Sequence, residues 1–114
     1  MTLVKFFIDQ RGKNPVGEFL DENKNIKIKA MIILHNITEF GLVSVIPHIK
    51  KLSGLPLWEI RILGKTNVRI LFALYEKGTV LVLHGFIKKT TRTPRNDLKT
   101  ALDIYTKWKN LVDK

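Results

Sequence analysis

The chain has no cysteine, which excludes disulfides, thiolate nucleophiles and cysteine-ligated zinc. Acidic residues are scarce: 10 Asp and Glu stand against 20 Lys and Arg, a net charge of +10. No apolar run is long enough to span a bilayer. The opening MTLVKFFIDQ is interrupted by Lys5 and Asp9 and is too short for a signal peptide. A cytoplasmic protein with no membrane partner is therefore expected. Internal repeats and low-complexity linkers are missing, so one domain over 1–114 is expected. The chain also lacks a glycine-rich phosphate loop, a nucleophile elbow and any histidine pair at metal-ligand spacing. No cofactor and no metal are expected.

What remains is basic and well patterned. Hydrophobic residues make up 45% of the 114, enough for one modest core. The positive charge biases partners toward polyanions. It is densest at the C-terminal end, where residues 84–114 hold eight Lys/Arg against three Asp. Within HGFIKKTTRTPRND, residues 84–97, four cations (Lys88, Lys89, Arg92, Arg95) are answered by Asp97 alone.

Periodicity supplies the elements. Leu3–Ile8 reads as a strand, and Asn14-Pro15 as the cap and first residue of a short helix to about Glu22. Ile26, Ala30, Ile33, Leu34, Ile37 and Phe40 recur at helical spacing over 25–40, with Gly41 as the stop. Residues 42–55 read as connection, with one helical turn near His48–Leu52. Leu57–Leu63, Val68–Tyr75 and Thr79–Ile87 alternate as strands, with Lys77-Gly78 as a hairpin turn. Thr93-Pro94 opens a last helix to about 111, with Leu98, Ala101, Leu102, Tyr105, Trp108 and Val112 on one stripe. The order β-α-α-β-β-β-α predicts a small α+β domain, its helices packed on one face of an antiparallel-rich sheet.

Alternation places Glu59 and Arg61 on one face of their strand, and Arg69 with Leu71, Ala73 and Tyr75 on one face of the next. If these strands pair, Arg61 and Arg69 share the sheet's open face, with an ordinary solvated face and a weak cross-strand ion pair as the bland alternative. Lys88 and Lys89 end the third strand, and Arg92 and Arg95 flank the last helix's N-terminus. Such a set of cations suits phosphate oxygens. His48 precedes Lys50-Lys51, His84 follows the apolar strand, and His35 lies within a helix.

KKLSGLPLWEIRI (50–62) and VRILFALYEKGTVLVLHGFIKKTTRTPRNDLKTAL (68–102) together resemble the RelE/HigB toxin superfamily, most closely its phage-derived HigB-like branch. Val68 stands where that family often has Tyr before the Arg, and Ile60 where Leu is usual in W-E-L-R. The resemblance implies a RelE-like fold and the toxin of a type II toxin–antitoxin system. It implies a metal-independent endoribonuclease that cuts mRNA in the ribosomal A site and is held inactive by a HigA-like helix-turn-helix antitoxin. Carried over residue by residue, Arg61, Arg69, Lys89 and Arg95 become the catalytic candidates. Lys50, Lys51, Lys88 and Arg92 become phosphate binders, and His48 and His84 the candidate acid/base groups. The late Tyr or His of many relatives has no counterpart near 93–96, where Arg95 stands. ParE-like relatives share the architecture and poison DNA gyrase, so fold alone does not separate the two activities. A non-catalytic nucleic-acid-binding module is the reading from a third class.

Overall fold

The computed structural model describes residues 2–76, 78–89, 91 and 94–112. They form β1 (Leu3–Phe6), α1 (Pro15–Glu22), α2 (Lys24–Phe40), a 3-10 helix (Leu42–His48), β2 (Ile49–Lys51), β3 (Trp58–Ile62), β4 (Val68–Tyr75), β5 (Thr79–Ile87) and α3 (Arg95–Val112). Local chemistry explains the helix ends. The Asn14 side chain accepts the Gly17 N–H at 3.0 Å, and Pro15 takes the first helical position. Asn23 separates α1 from α2: its N–H donates to Leu20 O, its side-chain amide to Phe19 O, and its carbonyl accepts from Ile26 and Lys27. Gly41 ends α2 with φ 80°, its N–H on Ile37 O at 2.8 Å.

The five strands lie in the order β1-β5-β4-β3-β2. β1 runs parallel to β5, and the other three pairs are antiparallel. The parallel pair requires a long crossover, which the helices and the other strands supply.

The helices do not pack on one face, as the sequence led us to expect. α1 and α2 cover one face, burying Val16, Leu20, Ala30 and Ile37 against Ile60, Ile70, Phe72 and Val82. α3 covers part of the other, where Ala101, Leu98, Leu102, Tyr105 and Trp108 meet Leu71, Ala73, Leu81 and Leu83. The reason is the composition of β4 and β5. They are buried at consecutive positions, so both faces need an apolar cover. Trp108 is half-buried and meets Tyr75 edge-on at 4.3 Å, while Val112 falls off the stripe and is exposed.

One local expectation also changes. The turn near His48–Leu52 is a 3-10 helix that closes earlier, at His48, followed by the short strand β2 paired with Trp58–Ile60. The Ile49 N–H bonds back to Ile46 O, and residues 49–51 then extend and find ladder partners on β3. In the β4–β5 turn Gly78 has φ 83°, while Lys77 lies outside the described residues.

One irregularity positions the site. In the β4–β5 ladder Leu71 pairs with His84 and Phe72 with Val82, so Leu83 is an extra residue, a β-bulge. Strict alternation from Leu81 and Leu83 would send His84 to the α1/α2 face. The bulge reverses the parity. His84 and Phe86 then share the α3 face with Leu71 and Arg69, and Gly85 faces α1.

Candidate functional site

Two cross-strand rows define the part of the α3 face that matters. One runs Arg61–Arg69–Phe86 and the other Lys50–Glu59–Leu71–His84. Directly opposed residues share a face, and two strand spacings put Arg61 and Phe86 roughly 10 Å apart at the backbone.

His84 is the centre of the second row. Its Nε2 is 2.6 Å from Asp97 Oδ1, on the first turn of α3. A carboxylate only accepts, so Nε2 carries the proton and Nδ1 is the free nitrogen of the neutral ring. Nδ1 has no hydrogen-bond partner among the described residues. The ring stacks on Phe86 with centroids 5.8 Å apart and is about a quarter exposed. The bulge, α3 and a carboxylate thus fix an imidazole with one nitrogen turned to use.

Arg69 is not the open-face cation expected from alternation. It is 7% exposed and Glu59 is 2% exposed. The Arg69 Nε donates to Glu59 Oε1 at 3.2 Å and Nη1 donates to Val68 O at 3.2 Å. Arg61 and Arg69 are directly opposed, so they repel; Glu59, on the diagonal, takes Arg69, and Arg61 is left exposed. The cross-strand ion pair is therefore buried, where the sequence had suggested a weak one on a solvated face.

The remaining candidates divide. Lys89 and Arg95 are exposed and, like Arg61 and Lys50, enter no ion pair among the described residues. Lys88 is half-buried at the end of β5, its N–H on Asn67 O. Arg92 and Thr93 lie outside the described residues. Lys51 leaves the set: β2 turns it to the face opposite Lys50, and its Nζ donates to the carbonyls of Leu52 and Leu55. His48, exposed at the end of the 3-10 helix, lines a cleft with Arg61, well away from His84 along the sheet. Among the described residues no cluster of three or more His, Asp or Glu offers a cation-binding set.

The Phage derived protein Gp49-like family matches residues 18–106. The chain belongs to the Gp49-like family. No curated protein matches it. The Gp49-like segment contains α2, all of β2–β5 and the first two-thirds of α3, hence every residue placed in the two rows and Asp97.

Sequence reasoning on this Gp49-like chain missed three parts of the site. Asp97 appeared only as a lone acid among cations. Its signal was its place one turn into a helix that follows a basic link. Phe86 carried no signal apart from the bulge, and nothing in the sequence marked the Glu59–Arg69 pair as buried. No helix among the described residues is long and apolar enough to cross a membrane.

Proposed function

We propose that this Gp49-like chain is the toxin of a toxin–antitoxin pair and acts as an endoribonuclease on mRNA at the ribosome, neutralised by a helix-turn-helix antitoxin. The observation that carries the reading is the His84–Asp97 pair, 2.6 Å apart, on a sheet face that also bears Arg61, an exposed cation with no ion pair among the described residues. A five-stranded sheet with helices on both faces, an α+β arrangement, is in keeping with that reading.

The chemistry follows from the groups. His84 Nδ1 takes the proton of a ribose 2′-hydroxyl, and the 2′-oxygen attacks the adjacent phosphorus. The P–O5′ bond breaks, leaving a 2′,3′-cyclic phosphate and a 5′-oxygen that needs a proton. Asp97 orients the imidazole and steadies the imidazolium, which returns the proton to the 5′-oxygen. Arg61, Lys89 and Arg95 are fixed cations for the phosphoryl oxygens, where negative charge grows. Arg69, held by Glu59, contributes field and position from below the surface.

The test is primer extension on mRNA after brief induction of the wild-type chain and of His84→Gln. Discrete cuts within translated regions are expected for the wild type. A fall of about 100- to 10,000-fold in cleavage is expected for His84→Gln, the range for loss of a general acid–base group. Growth arrest with intact mRNA and supercoiling damage would overturn the reading in favour of gyrase poisoning.

A further inference from the structure

α2 is apolar on two sides. Ile26, Ala30, Ile33, Leu34 and Ile37 are buried against the sheet. Ile28, Met31 and Ile32 project from another side, 67%, 44% and 56% exposed. Their spacing is i, i+3, i+4, one stripe of a helix. A helix apolar on two sides is normally packed on two sides, and the sheet supplies only one.

The second side opens into a groove. Ile32 and Ile33 of α2, Pro47, and Ile62 and Leu63 of β3 line a cleft of about 460 Å³. Leu63 is 66% exposed. A shallower trough along Ile28, Met31 and His35 continues from it through the shared Ile32. β2 pairs only with Trp58–Ile60, so the edge of β3 beyond Ile60 has no partner on that side among the described residues. An open apolar edge of this kind is a docking surface.

The rim carries one sign of charge. Lys29, His48 and Arg61 line the cleft, and no Asp or Glu does. The Lys29 ammonium donates to Leu63 O at 3.1 Å and, like Arg61, has no ion pair among the described residues. That chemistry selects an occupant. A second copy of the chain would bring another +10 and the same cationic rim. Nucleic acid would meet the cations but leave the aliphatic floor, which has no aromatic platform for bases, in water.

We propose that the groove between α2 and the free edge of β3 is the docking site of an acidic amphipathic helix from a partner protein. Apolar residues at i, i+3/i+4 and i+7 enter the floor, and flanking Asp or Glu side chains reach Lys29 and Arg61. This deepens the toxin reading, on which its inhibitory meaning rests. Arg61 also stands at the end of the phosphate row, so a carboxylate that engages it there withdraws it from RNA.

The probe is a labelled helical peptide of about twenty residues with Leu at those positions and Glu between them. Controls are a scrambled peptide of the same composition and a version with Lys for Glu. Fluorescence anisotropy with the full chain is expected to show saturable binding of the first peptide only. Ile32→Ser and Leu63→Ser should each weaken it tenfold or more. Both substitutions are at exposed sites and should leave thermal melting and RNA cleavage unchanged. Equal binding of the scrambled peptide would overturn the proposal, leaving a general attraction for polyanions. So would peptide binding that ignores both substitutions. Self-association of the free chain in sedimentation, abolished by Ile32→Ser, would make a second copy the occupant and also overturn it. Failure of RNA cleavage in the wild type would sink the nuclease reading and leave the peptide result standing.

Discussion

Removing Glu59 tests the energetics at the base of the site. Glu59→Gln leaves the Arg69 guanidinium with a side chain 9% exposed and no counter-charge in hydrogen-bond reach at Oε1. Breaking a buried pair by removing one partner costs about 3–5 kcal/mol, because a charge remains out of water. For 114 residues the unfolding entropy is about 0.24 kcal/mol/K. The expected fall in Tm is therefore about 12–20 °C. Replacing both partners, as Glu59→Leu with Arg69→Met, removes the charge along with its counter-ion and should recover most of the loss. The assay is a double-mutant cycle of urea and thermal melts followed by circular dichroism. RNA cleavage is measured in parallel. The double variant should melt near the wild type and cleave poorly, because stability returns while the Arg69 charge does not. A cost below about 1 kcal/mol for Glu59→Gln, the value of an exposed pair, would refute the assignment of a buried pair. Additive single effects in the cycle would refute the coupling.

Three further outcomes are expected. Lys89→Ala and Arg95→Ala should each lower RNA cleavage about 100- to 1,000-fold while shifting stability by no more than about 0.5 kcal/mol, read by cleavage assays beside melts; full activity in both would assign these exposed cations to docking or solubility. Gly85→Ala should destabilise by about 1–3 kcal/mol, because its new Cβ would sit 2.7 Å from Phe19 Cδ2, and Phe19→Leu in the same chain should restore part of the loss in denaturant titration. Asp9 accepts the backbone N–H groups of Lys13 and Arg11 at 2.9 Å, and these bonds, that from Lys13 foremost, hold its carboxyl below the ordinary carboxylate range. A carboxyl depressed in the folded state adds stability above its unfolded value and loses it as pH falls through the folded one. Asp9→Asn should therefore lower Tm at neutral pH and converge with the wild type in strong acid; parallel melting curves at all pH values would refute this.

Local chemistry made much of the fold legible. Asn14-Pro15, the 3.6-residue recurrence in α2, Gly41 and the alternation of β3 to β5 are instructions between near neighbours, and each formed close to the expected bounds. The charged link before α3 was legible for the same reason, since its cations are adjacent in sequence. Lys50, Arg61, Lys89 and Arg95 are exposed in the structure.

The tertiary structure decided how distant elements share surface. The near-continuous apolar runs of β4 and β5 require cover on both faces, but only the packed molecule shows α3 opposite α1 and α2. β1 lies beside β5 across more than seventy residues, a pairing with no local signal. Arg61 and Arg69 were equivalent in the sequence until the β3–β4 register set Glu59 diagonal to one of them. His84 depended on a single extra residue at Leu83. A period of two turns every later side chain over when one residue is inserted, and whether β5 makes that insertion is settled by its ladder with β4 and by Asp97 waiting on α3. Composition and period therefore determine which elements form and which faces are apolar. Register and packing determine which charges are buried, which remain free, and where the imidazole points.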